Sequence, residues 1–315
     1  LQSTGQKQLT GALLTGDLWS ILKQCFLLVC CVWGVGARAI FNFFRIGAIG
    51  ALAFLVLVPD VTLAAAWTQK KGEGLIITSF TYDGAIKSFN AAGGLVSSPK
   101  FVKLEANIYA EYGLLDWLTV ILTPGYQHVA TGFSGIRRSD GGMNNTGIGG
   151  RIRLFRKRQH VVSLEATYFL PGGISTNETT VLSRGNGDVE VRALYGSSRV
   201  FSLFSHSFPT FVDLQLGYRQ RDGAPANEYR ADFTFGVRPF QKVQILVQSF
   251  NIISDGAGKP SDQVLFPAFQ LHKAQLSGVY DISRRFSIQL GGFHTLAGRN
   301  IVQETALFGA LWIRY

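Results

Sequence analysis

Period-two alternation of apolar and polar side chains runs from Trp67 to the end of this chain and constrains its fold more than any other feature. Val212, Leu214, Leu216 and Tyr218 alternate with Asp213, Gln215, Gly217 and Arg219. Tyr229, Ala231, Phe233, Phe235 and Val237 alternate with Arg230, Asp232, Thr234, Gly236 and Arg238. Successive side chains of a strand point to opposite faces, so each segment has one apolar and one polar side. About twelve segments qualify, near 73–83, 100–113, 116–128, 146–157, 160–171, 187–197, 209–220, 227–238, 241–252, 267–280, 284–295 and 302–315. Roughly ten alternating residues between turn signals is the pattern of a transmembrane β-barrel strand.

A soluble sandwich or lipocalin-like barrel would turn the apolar faces inward. Two observations oppose it. Aromatics close the apolar faces at Tyr112, Trp117, Tyr126, Tyr168, Tyr195, Tyr218, Tyr229 and Tyr280, where interfacial girdles would fall. The polar faces carry charges of both signs, which a dry core does not tolerate. The sequence therefore predicts an all-β fold, a transmembrane antiparallel up-and-down β-barrel of about twelve strands, preceded by a signal peptide.

Composition agrees. Only 16% of residues are charged and 47% are hydrophobic, with 36 Gly, 24 Phe and a net charge of +10. An average soluble domain has roughly 25% charged residues, and disorder needs low hydrophobicity as well. A helical transporter would need several apolar runs of about 20 residues. Only Ile46–Ala66 approaches one, and Pro59-Asp60 breaks it. That stretch has instead the parts of an export signal: Arg38 and Arg45, the apolar run Ile46–Val58, and the small residues Ala64–Ala66. The expected organisation is a signal peptide over 38–66, cleaved near Ala66, and a barrel over 67–315. Residues 1–37 read as an upstream extension or an overlong n-region, since no Met precedes Met143. Cys25, Cys30 and Cys31 all lie there, which leaves the exported part without thiol catalysis or Cys-ligated metals.

Connection lengths alternate too. Long ones fall at 84–99, 129–145, 172–186, 221–226, 253–266 and 296–301; tight ones fall at Gly113–Leu115, Lys157–Gln159, Pro239–Phe240 and Asp281–Ser283. Long loops are exterior and short turns periplasmic in such barrels. The connection 198–208 is the exception, periplasmic by count yet long. The chain closes on Leu307–Tyr315, apolar at alternate positions with a terminal aromatic. This end is similar to the C-terminal signal that barrel-assembly machinery reads, which makes that machinery an expected partner through the strand ending at Tyr315.

Asn145–Arg153 and Gly185–Arg192 resemble the G-x-G-D strand starts of the barrel family named for the meta-pathway of phenol degradation, with Gly150 standing where that family usually has Asp. Ala66-Trp-Thr-Gln69 with Gly72-Glu-Gly74, Phe211–Leu214 with Gly217–Arg219, Glu228–Asp232 with Gly236–Pro239, and Gln248–Asn251 resemble more closely the outer-membrane component of autoaggregation and biofilm exopolysaccharide clusters. Either resemblance implies a barrel in the outer membrane of a Gram-negative bacterium; the second implies polysaccharide traffic and a synthesis complex as partner. Neither implies a catalytic residue or a cofactor.

Strict alternation puts Lys103, Glu105, Glu111, Arg151, Arg153, Glu165, Glu190, Arg192, Asp213, Arg219, Arg230, Asp232, Arg238 and Lys273 on the inner wall. Opposite signs on adjacent strands can pair and stiffen that wall, or line a path for hydrophilic solutes and draw anions by focusing the field. Tyr109, Phe155, Phe169, Phe293 and Trp312 fall on the same face and are candidates for stacking a glycan, or for filling space. Arg137, Arg138, Lys259 and Arg299 are placed outside, where lipopolysaccharide phosphates would be. His128, His160, His206, His272 and His294 have no metal-ligand spacing, and no G-x-S-x-G elbow occurs. A lipid hydrolase built on His272 or His294 with Ser277 is the weakest reading. An exported barrel offers no basic helix for nucleic acid. The functional expectation is an outer-membrane channel or export pore, with a closed adhesive barrel or an uptake channel for aromatic or hydrophobic compounds as the alternatives.

Overall fold

The computed structural model describes residues 65–133, 136–172, 187–203, 206–260 and 266–315, all in one compact unit, Phe54–Tyr315. The export signal expected over 38–66 lies outside the described residues except for Ala65 and Ala66, as does the extension 1–37. The strand segments are β1 (Gly74–Phe89), β2 (Leu95–Leu115), β3 (Leu118–Thr123), β4 (Gly125–Phe133), β5 (Ile136–Met143), β6 (Thr146–Lys157), β7 (His160–Leu170) and β8 (Asp188–Leu203). They continue as β9 (His206–Arg221), β10 (Glu228–Phe240), β11 (Val243–Ser254), β12 (Gln270–Asp281), β13 (Phe286–Arg299), β14 (Ile301–Val302) and β15 (Thr305–Arg314).

Three pairs of segments are single strands with a break. Pro124, which has no N–H to give a ladder, separates β3 from β4; Asn144-Asn145 separate β5 from β6, and Gln303-Glu304 separate β14 from β15. The result is a closed barrel of twelve antiparallel strands. Closure is made by β1, which pairs with β2 on one side and with β15 on the other, from Leu75↔Arg314 to Gly84↔Thr305. A closed ring leaves no unpaired edge, the condition for spanning lipid with strands.

The apolar stripes face outward. Phe80, Leu216, Leu276, Leu290 and Leu307 are between 60% and 72% exposed, which would be costly in water and is expected against acyl chains. Tyr112, Trp117, Tyr195 and Tyr280 are exposed toward the short-turn end, and Tyr126, Tyr168 and Tyr229 toward the other. No helix among the described residues is long and apolar enough to cross a membrane.

The structure differs from the alternation pattern at the connections. The exceptional span 198–208 is mostly strand, because β8 and β9 continue in register to Leu203↔His206, with Ser202 Oγ and Ser207 Oγ 3.1 Å apart. Much of 84–99 and 129–145 is strand as well: β1 pairs with β2 up to Phe89↔Leu95, and β4 with β5 up to Phe133↔Ile136. Ladder hydrogen bonds persist past the apolar belt, where neither face needs to be apolar and the alternation fades.

Candidate functional site: the lumen and its floor

The residues just before β1 lie inside the barrel. Ala66 is fully buried, and Trp67 packs with it against Leu75, Val161, Leu194, Phe211, Leu246, Val279 and Trp312. The Trp67 and Phe211 rings meet edge to face, centroids 6.4 Å apart, a favoured aromatic geometry. Gly196 makes room for this segment, because a Cβ there would overlap the Trp67 ring.

Hydrogen bonds hold the segment to strands around the ring. Ala66 N donates to Asp213 Oδ2 (2.7 Å), and Ser163 Oγ donates to the Ala66 carbonyl (2.6 Å). Gln69 N donates to Thr119 Oγ1 (2.8 Å), and its Nε2 to Glu111 Oε2 (2.7 Å). The segment therefore forms a floor across the lumen at the short-turn end.

Above the floor, Arg151 joins three walls. Its guanidinium reaches Glu111 on β2 and Glu165 on β7, each at 2.7 Å, and donates to the Trp67 carbonyl at 3.0 Å. Tyr109 adds its hydroxyl to both Glu111 and Arg151. Two charges taken out of water are tolerated only when mutual attraction and further hydrogen bonds compensate, as they do here.

One wall is an ionic ladder over β8, β9 and β10. Arg192 bridges Glu190 and Asp232, the latter at 2.5 Å. Arg219 pairs with Glu190 (2.7 Å), and Arg230 with Glu228 (2.6 Å). Arg221 joins Glu228 (2.6 Å) to Asp188 (3.3 Å). Toward the loop end a second cluster places Lys103 within 3.4–3.6 Å of Asp83, Glu105 and Glu304, with Lys273 2.6 Å from Glu304. Toward the short turns, Arg238 and Arg314 share Asp281.

The adjoining wall, from β10 round to β15, is neutral. Gln275 donates to Gln248 (2.8 Å), Gln248 to Thr234 (3.2 Å), Gln289 to Ser277 (2.9 Å), and Trp312 Nε1 to Gln289 (3.0 Å). Phe250, Phe293 and Phe308 stand among these amides. Ionic and neutral walls together enclose a cavity of about 530 Å³.

Of the residues expected on the inner wall, Glu111, Arg151, Glu165, Glu190, Arg192, Asp213, Arg219 and Asp232 line this cavity. Lys103, Glu105 and Lys273 belong to the loop-end cluster, Arg230 to the ionic ladder and Arg238 to the short-turn end. Arg153 donates to Thr68 Oγ1 at 3.3 Å. Among the aromatics, Tyr109, Phe169, Phe293 and Trp312 line the cavity. Arg219 lies over Phe169 at 3.9 Å and Lys273 over Phe293 at 4.3 Å, both cation–π contacts. Phe155 stands apart: a bulge between Arg153 and Phe155 breaks the alternation, and the ring is 51% exposed beside Lys157, Arg158 and His160 at the turn. The expectation of an anion-focusing interior also changes, because the guanidiniums and ammonium groups of both clusters and the ladder are ion-paired.

Asp83, Glu304, Phe250, Phe308 and the glutamines are lumen residues that alternation did not reveal. Over Leu307–Trp312 both faces of β15 are apolar, Phe308, Ala310 and Trp312 inside and Leu307 and Leu311 outside, so Phe308 has no polar neighbour to mark its face, although it shares the register of Trp312. His272 pairs with Asn251 (2.9 Å) and His294 with Thr305 (2.7 Å), while Ser277 is buried against Gln289 in the lumen. No three His, Cys, Asp or Glu side chains among the described residues are placed to hold a metal ion.

An apolar exterior around a closed antiparallel ring with a polar interior is a transmembrane wall, and the fold is that of Gram-negative outer-membrane β-barrels. The structure is similar to that of an outer-membrane channel from Pseudomonas putida F1, with TM-score 0.64 and 12% identity over 81% of this chain and 100% of that one. It is also similar to the NanC porin, with TM-score 0.43 and 7% identity over 74% of this chain and 98% of that one. No protein-family model matches the chain, and no curated protein matches it in sequence.

Proposed function

We propose that this barrel is an outer-membrane channel for small hydrophilic solutes, and that glycan fragments are among them. The observation that carries this reading is the cavity with two unlike walls. Amide groups on the neutral side can exchange hydrogen bonds with hydroxyls, while the rings of Phe250, Phe293 and Phe308, which line the cavity, suit the apolar C–H face of a sugar ring. A few convergent polar groups among aromatic side chains are the usual composition of a ligand pocket. The ion-paired wall beside it keeps its shape without offering a strong net field. The resemblance of Ala66–Gln69, Glu228–Asp232 and Gln248–Asn251 to exopolysaccharide-cluster barrels supports polysaccharide traffic as the finer role, with a synthesis complex as periplasmic partner and lipopolysaccharide around the rim.

Purified barrel in a planar bilayer tests the reading. Discrete conductance steps that oligosaccharides interrupt support it. A silent bilayer favours a closed barrel working through its surface loops, and block by aromatic acids but not by sugars favours uptake of aromatic compounds.

A further inference from the structure

Each lumen carboxylate of the two clusters, the ladder and the Arg151 hub has a Lys or Arg nitrogen within 4.0 Å. Asp213 breaks the pattern. It is 1% exposed, and its hydrogen-bond donors are Gln215 Nε2 on Oδ1 (2.8 Å) and the main-chain nitrogen of Ala66 on Oδ2 (2.7 Å). No cationic side chain among the described residues forms an ion pair with it. An ionised carboxylate is expensive to bury without a positive partner, and an amide N–H supplies a hydrogen bond but no charge.

Ala66 also follows the small residues Ala64 and Ala65, close to where the export signal is expected to end. The small-x-small pattern Ala64-x-Ala66 alone would put the cut after Ala66, and it is the burial of Ala66 in the floor that places it earlier. We infer that the signal is removed between Ala65 and Ala66, and that the new α-ammonium of Ala66 is the missing counter-ion of Asp213. Hydrolysis of that bond consumes one water and leaves a carboxylate on Ala65 and an ammonium on Ala66. The cut falls one residue before the limit expected from sequence. Ala66 belongs to the folded chain, because its carbonyl accepts from Ser163 and its methyl is fully buried in the floor. A chain beginning at Trp67 would lose these contacts and leave Asp213 with Gln215 alone. The function that follows is an ionic latch: the first residue of the exported chain is pinned inside the lumen and holds the floor of the channel in place.

The test uses the full chain, expressed with its signal and recovered from outer membranes. N-terminal sequencing and intact mass are expected to give a chain beginning at Ala66; any other first residue overturns the inference. Reductive methylation of the folded barrel, read on the N-terminal peptide, gives a second measure. A buried, ion-paired amine should react on the order of tenfold more slowly than after D213N, whereas equal rates in the two proteins overturn the latch. Neither readout depends on conductance, so failure here and failure of the channel reading are separable.

Discussion

Arg151 Nη1 lies 2.7 Å from Glu111 Oε1, and the same nitrogen donates to the Trp67 carbonyl, so one guanidinium fastens the barrel wall and the lumen floor together. Arg151 is 1% exposed and also holds Glu165. Arg151→Ala would leave two carboxylates buried without their partner, a loss of about 3–5 kcal/mol. The urea midpoint of the folded band on an unheated gel should fall accordingly, and Arg151→Lys should recover only part, because an ammonium cannot fork between two acids. An unchanged midpoint would show that the hub is not structural.

The floor is a packing device as well as a latch. Trp67→Ala removes its largest side chain and should cost about 3–5 kcal/mol, with a rise in single-channel conductance. Gly196→Val should act in the same direction without touching the floor residues, since the new side chain occupies the space of the Trp67 ring. If both proteins conduct as the parent does, the floor does not set the narrowest part of the path.

Ion selectivity tests the pairing of the ladder. Arg192 neutralises Asp232 and shares Glu190 with Arg219 and Arg230. Arg192→Gln subtracts one positive charge from the cavity wall. A unit charge about 8 Å from a passing ion is worth about 0.5 kcal/mol in a water-filled lumen, roughly a twofold bias in ion occupancy. Reversal potentials in a KCl gradient should therefore move toward cation preference. A move toward anions would contradict the assigned sign.

The neutral wall makes a separate prediction. Phe250→Ala removes one stacking face while leaving the adjacent Gln248–Gln275 pair in place. Losing a stacking contact of about 1 kcal/mol weakens binding roughly fivefold, so oligosaccharide block should need that much more sugar. Block that survives unchanged would move the sugar path away from this wall.

Most of the wall was legible in the sequence, and for one reason. In β9 and β10 each position must satisfy either acyl chains or a polar interior, so Leu214, Leu216 and Phe233 alternate with Asp213, Gln215 and Asp232. The register fails where that contrast is lost. The bulge after Arg153 turns Phe155 out of the pattern, and the apolar run Leu307–Trp312 of β15 hides Phe308. The floor was not legible at all. Ala66–Gln69 is no strand, and nothing in its composition announces that Trp67 will turn back into the lumen. Its anchors, Ser163, Arg151 and Asp213, lie far along the chain. The ion pairs were foreseeable as a class from cross-strand neighbours, but the diagonal reach of Arg192 to Asp232 across β9 depends on Gly217, where a Cβ would press on the Arg192 side chain.

The seam between β1 and β15 joins the earliest strand to the latest, with Tyr315 N and O both bonded to Gly74. Such a join cannot begin until the final residues have left the ribosome and crossed the inner membrane, and contacts this distant in sequence form slowly. Circularisation is therefore expected as the last step of folding. A chain lacking its terminal strand should accumulate as an open, protease-sensitive sheet rather than as a smaller ring.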